Sequence, residues 1–103
     1  MKIYNKLVRD NIPQIISQNR QKAHISTLDS DQYNIALRKK LCEEVQEYLD
    51  SEDIEELADI MEVVEALTVF RGSTLDEVLK VKEKKAAKNG KFEKRLFLEK
   101  VED

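Results

Sequence analysis

From residue 29 onward, apolar residues recur at intervals of three and four rather than two. Leu37, Leu41, Val45, Tyr48 and Leu49 follow that rule, and Asp29, Ser30 or Asp31 can cap the helix they predict, which runs to about Leu49. Ser51 stands where a new cap is needed, and a third helix is predicted from about Glu52 to Arg71, stopped by Gly72. Thr74 with Glu77 has capping-box spacing and opens a fourth helix to about Lys88, ended by Asn89-Gly90. Ahead of these, Pro13 suits the first turn of a helix reaching about Lys22, with Asp10 or Asn11 as cap and Ile12, Ile15 and Ile16 as its apolar side. Residues 1–10 and 23–28 read as irregular. The tail from Lys91 to Val101 alternates partly through Phe92, Leu96 and Leu98, which suits a short strand or an arm packed on a partner. The expectation is a single all-α domain over residues 1–103, a bundle of about four helices in which the second and third form an antiparallel pair.

Acidic residues break this pattern in an informative way. At about 100° per residue, with Leu37 at zero, Leu41 lies near 40°, Tyr48 near 20° and Glu44 near −20°, inside the apolar stripe. Glu47, at about −80°, is on its edge, while Glu43, at about −120°, is further toward solvent. The third helix is apolar on two sides, with Ile54, Leu57, Ala58, Met61 and Val64 on one and Ile60, Val63, Leu67 and Phe70 on the other, so burial on both sides is expected. Glu56 and Asp59 share the phase of Ile60, Val63 and Leu67. Buried carboxylates without partners are costly and repel one another, and a divalent cation removes both penalties. Two acids three residues apart on each of two adjacent helices bring four carboxylates to one spot, and hard oxygen ligands select Mg²⁺, with Mn²⁺ as the other candidate. The competing view, helix-surface acids paired with Lys39, Lys40 or Lys84, suits the more exposed Glu43, Glu52, Asp53, Glu55 and Glu62 better. Glu65, on the first apolar side, fits either an extra ligand or an interface ion pair.

Composition narrows the picture further. The 103 residues are 38% charged and 41% apolar with no Trp, a thin core supply that favours a homodimer or higher homo-oligomer sharing apolar surface. Acids crowd residues 43–65 and bases residues 80–95, and the net charge of −3 argues against a nucleic-acid polymer as partner. Cys42 is the only cysteine, which excludes an intramolecular disulfide and a Cys-rich zinc site and fits a reducing cytosol. No signal peptide and no run of about 18 apolar residues is visible, so a cytoplasmic protein without membrane contact is expected. His24 has no ligand partner nearby, and Tyr33, Tyr48, Phe70 and Phe92 read as core or interface aromatics.

Lys40-Leu41-Cys42-Glu43-Glu44-Val45-Gln46-Glu47, followed by Glu55-Glu56-Leu57-Ala58-Asp59, resembles the paired acidic signature of the MazG-like, all-α nucleoside triphosphate pyrophosphohydrolase superfamily. The opening Lys6-Leu7-Val8-Arg9-Asp10-Asn11-Ile12-Pro13 and the closing Gly90-Lys91-Phe92-Glu93-Lys94-Arg95 are similar to the ends of its short, single-domain, phosphoribosyl-ATP pyrophosphohydrolase-like branch. This resemblance implies a bundle that dimerises or assembles further and that hydrolyses a nucleoside triphosphate to the monophosphate and pyrophosphate. It implies Glu44, Glu47, Glu56 and Asp59 as Mg²⁺ ligands, with Lys85, Lys88 and Arg95 in the basic segment that holds phosphates. The chain departs from the branch at Asn11, where Lys is usual, at Asn89, where Arg is usual, and at Lys91, which replaces a Gly. All three departures bear on the phosphate ends and none on the acids.

The expected reaction is attack of a water on the α-phosphorus, with Glu44 or Glu47 taking the water's proton and basic groups, from the tail or a partner subunit, balancing charge. Arg9 is expected either at the phosphate end or in a structural ion pair. The alternatives are a related enzyme acting on phosphoribosyl-ATP or dUTP, and a noncatalytic helical nucleotide-binding or dimerisation module.

Overall fold

Four helices form where the chain supplies start and stop signals, and the computed structural model, which describes residues 1–103, is 59% helical with no strand. They are α1 (Ile12–Gln18), α2 (Ser30–Ser51), α3 (Ile54–Phe70) and α4 (Leu75–Asn89). Helix α2 has a complete capping box: Asp29 accepts from the Gln32 backbone N–H at 2.8 Å and the Gln32 side chain accepts from the Asp29 N–H at 3.1 Å. Helix α4 has half of one. Thr74 accepts from the Glu77 N–H, but the Glu77 carboxylate takes the Ser73 hydroxyl at 2.6 Å instead of reaching back to Thr74.

Glu52 adopts a left-handed conformation (φ 58°) that terminates α2, and Asp53 follows directly as the N-cap of α3. A two-residue connection of this kind folds the helices back on each other. Ser51, expected as the cap of α3, instead accepts from the Asp53 N–H in the turn. Tyr33 near the start of α2 meets Phe70 at the end of α3 edge-to-face, with ring centroids 5.7 Å apart, so the hairpin is closed along its full length. Helix α4 packs only on α3, and α1 packs on no helix. Helix α1 stops at Gln18 rather than about Lys22. Arg20 turns left-handed (φ 60°), and Ser17, Gln18 and Asn19 offer no apolar side to hold a longer helix. The tail forms no strand, and Phe92, Leu96, Phe97, Leu98 and Val101 are exposed on the single chain, as an arm that packs on a partner would be.

The hairpin presents two unlike faces. Leu37 of α2 and Val63 of α3 are the buried apolar residues and mark the seam between the helices. In an antiparallel pair, positions advanced by the same angle from the seam emerge on the same side. Val45 and Leu49 of α2 and Leu57 and Met61 of α3 therefore share one face, with Ile35, Cys42 and Ile54 at its margins. This face is open: Leu49 and Met61 are 62% and 60% exposed, and Ile54 80%. The expectation that α3 is buried on both sides is met on the seam side; on the other side Val64 is half-buried, and Ile54, Leu57 and Met61 are exposed on the single chain. The opposite face carries Lys40, Glu43, Glu47 and Asp59, and the irregular N-terminal segment lies against it through Lys6 and Arg9.

Candidate metal centre

Seam geometry carries the four sequence-predicted acids to one place. Glu44 projects from α2 between Leu37, Leu41 and Tyr48 and is only 6% exposed, in agreement with its helical phase. Carboxylate oxygens of Glu44, Glu56 and Asp59 lie within 4.8 Å of one another, and those of Glu43, Glu44 and Glu47 do likewise, so Glu44 belongs to both groups. Glu56 and Asp59 are half-buried one turn apart on α3, and Glu47 is the exposed member.

The two groups differ in how their charge is met. Lys6 reaches Glu43 at 3.2 Å, and Lys40 reaches Glu43 at 3.5 Å and Glu44 at 3.2 Å. Burial raises the Glu43 carboxyl, but hydrogen bonding and attraction from Lys6 and Lys40 together outweigh it and hold Glu43 below the ordinary value. The Glu44, Glu56 and Asp59 group has no such cover. Its contacts are Lys40 on one oxygen of Glu44 and Arg9, whose Nη2 donates to Asp59 Oδ1 at 2.7 Å. Oε2 of Glu44 and Oε2 of Glu56 are shut off from solvent and have no hydrogen-bond partner. Burial, then the adjacent Glu47 carboxyl, then the charges of Asp59 and Glu44 push Glu56 up to about 7. Burial raises Glu44 as well, with Lys40 opposing and Glu47 adding to it.

Two buried carboxylate oxygens without a hydrogen-bond partner, on residues that belong to a cluster of hard donors, fit a divalent cation, since an unpaired buried acceptor is otherwise destabilising. The charge count agrees. Five carboxylates (Glu43, Glu44, Glu47, Glu56, Asp59) face three cations (Lys6, Arg9, Lys40), leaving −2 when all are ionised, the charge one divalent ion neutralises.

The expected basic groups are not assembled here. Lys85, Lys88 and Arg95 form no ion pair with any acid. Arg95, in a left-handed turn (φ 58°), lines a shallow concavity at the end of α4 with Asn89, Gly90, Lys91 and Phe92. The cations that do reach the acids are Arg9, Lys6 and Lys40. Lys6 could not be found from periodicity, because the segment carrying it has none. Glu43, placed toward solvent by phase, is half-buried because that same segment covers it.

A carboxyl with a folded-state value near 7 holds a proton that the unfolded chain releases around its ordinary value of 4.5. The contribution of Glu56 to stability is therefore fully present below about 4.5 and is lost as pH rises through about 7. In chelator, the melting temperature is expected to fall between pH 5 and pH 8 by more in wild type than in Glu56→Gln. Parallel profiles for the two proteins would remove Glu56 as the group responsible. No helix is long and apolar enough to cross a membrane. Comparison with family models, curated proteins and solved structures finds no match for this chain.

Proposed function

We propose that this protein is a Mg²⁺-dependent nucleoside triphosphate pyrophosphohydrolase of the MazG-like kind, acting as a homo-oligomer. The observation that supports the reading is the convergence of Glu44, Glu56 and Asp59, with Glu47 beside them and no cation reaching Oε2 of Glu44 or Oε2 of Glu56. The resemblance of the paired acidic segments and of both chain ends supplies the reaction class.

When bound, the metal neutralises the polyphosphate and favours departure of pyrophosphate. Glu44, Glu56 and Asp59 are the residues to hold it. Glu47 lies outside that triad and is exposed to solvent, which favours it over Glu44 as the base. In that role it takes a proton from the attacking water as the water oxygen bonds to the α-phosphorus. The bond from that phosphorus to the bridging oxygen breaks, and its electron pair leaves with pyrophosphate. Arg9 at the rim of the triad is placed to meet a phosphate, while Lys85, Lys88 and Arg95 act in this reading from the basic segment of a neighbouring protomer.

The test is pyrophosphate release from a panel of canonical and modified nucleoside triphosphates, phosphoribosyl-ATP and dUTP, with Mg²⁺, with Mn²⁺ and with chelator. Metal-dependent release from at least one triphosphate is expected, and a preference for phosphoribosyl-ATP or dUTP would move the assignment within the same chemistry. Absence of release across the whole panel, together with no thermal shift at saturating metal, would leave a noncatalytic helical module.

A further inference from the structure

The N-terminal segment occupies the acid cluster with its own cations. Arg9 Nη2 sits 2.7 Å from Asp59 Oδ1, and Lys6 Nζ sits 3.2 Å from Glu43 Oε1. Little else holds this segment down. Residues 1–10 are irregular, α1 packs on no other helix, and only Leu7 and Val8 of the first ten residues are half-buried.

The two contacts are not equivalent. Lys6 binds an acid that Lys40 also covers and that lies outside the Glu44, Glu56 and Asp59 triad. Arg9 holds an oxygen of the triad itself. A cation entering the triad needs Asp59, and its positive charge repels a guanidinium on the same carboxylate. Glu44, nine-tenths buried with Oε2 unpaired, and Glu56, with Oε2 likewise unpaired, mark the triad rather than the Lys6 contact as the place where acceptor oxygens are unsatisfied.

We propose that Arg9 is an exchangeable occupant of the metal centre: it neutralises Asp59 when no metal is present, yields that carboxylate to the incoming cation, and is thereby presented to the polyphosphate that the cation carries. This rests on the metal reading above and adds a positioning role to Arg9, coupling metal entry to readiness for substrate. A half-exposed guanidinium suits the role. It is held firmly enough to be placed, and the pair is weak enough to be displaced, since the side chains of Arg9 and Asp59 are 56% and 37% exposed.

Calorimetric titration of the full chain with MnCl₂ tests the exchange, using wild type, Arg9→Gln, Arg9→Lys and Lys6→Gln, each first checked for an unchanged helical spectrum. Arg9→Gln is expected to bind Mn²⁺ about two- to fivefold more tightly than wild type, the range set by the coupling of a partly exposed ion pair. Arg9→Lys should return toward wild type. Lys6→Gln removes the same charge without freeing Asp59 and should tighten binding less than Arg9→Gln. With Mn²⁺ bound, Arg9→Gln should hold inorganic pyrophosphate more weakly than wild type, and trypsin should cut wild type after Arg9 faster than in chelator. Unchanged or weakened Mn²⁺ affinity in Arg9→Gln, or equal tightening in Lys6→Gln, overturns the exchange while leaving the metal centre standing. Failure of wild type to take up Mn²⁺ at all overturns both.

Discussion

Replacing Glu56 by Gln is expected to lower pyrophosphate release by a factor on the order of 10²–10³, the range typical when one electrostatic group is removed from a reacting centre. The same change should raise, not lower, the melting temperature of the metal-free protein at pH 8. Above about 7 the Glu56 carboxyl is ionised beside Glu44, Glu47 and Asp59, and the isosteric amide removes that repulsion while keeping the volume. Loss of activity with gain of stability is the mark of a residue retained for binding a cation rather than for holding the fold. The thermal shift produced by Mg²⁺ or Mn²⁺ should shrink in parallel. A loss of both activity and metal-free stability would instead make Glu56 a structural group whose removal disturbs the hairpin. Glu47→Gln separates holding from proton transfer. It is expected to depress release while leaving much of the metal-induced thermal shift, because Glu47 is the exposed neighbour of the triad rather than one of its three members.

How far the centre could be read from the chain follows from what helical phase can and cannot encode. Phase put Glu44 among Leu37, Leu41 and Tyr48, and Glu56 and Asp59 with Ile60 and Val63. The antiparallel hairpin then brings these acids together because Glu52 and Asp53 leave no room for another arrangement. Caps at Asp29 and Thr74 and the stop before Gly72 were visible for the same local reason. Contacts made by chain without periodicity were not. Nothing in residues 1–10 indicates that Lys6 lands on Glu43 or that Arg9, open in the sequence between a phosphate and an ion pair, lies on Asp59. In the C-terminal segment, partial alternation at Phe92, Leu96 and Leu98 suited a strand or an arm on a partner; the strand does not form, because it needs a neighbour to bond to and a single chain of helices offers none.

Met61→Glu is expected to weaken self-association by about 10² to 10⁴ and to lower the melting temperature with it. The reasoning starts from how little one chain buries. Only Leu37 and Val63 among its apolar residues are buried, and the radius of gyration is 18.3 Å where a compact chain of about 100 residues has about 13 Å. Its surface is 9984 Å², whereas a folded monomer of 12.0 kDa exposes about 6,000 Å². That surplus is shared between the N-terminal segment, the unpacked tail and the open face of the hairpin. In the homo-oligomer we propose, a second copy would cover the open face of Val45, Leu49, Leu57 and Met61, two hairpins pairing as a four-helix bundle. That packing leaves the acidic faces pointing away from the join and the centres accessible. In a two-fold interface each substitution acts twice. Losing two buried Met side chains, at about 1.5–3 kcal/mol each, gives the stated range before the added charge is counted. Sedimentation of wild type and variant measures the change. Cys42 at the margin of the same face supplies an independent readout, since its thiol should react slowly with a maleimide in the assembled protein and rapidly in Met61→Glu. A wild-type protein that sediments as a monomer with a freely reactive Cys42 would show that this face is not where copies meet.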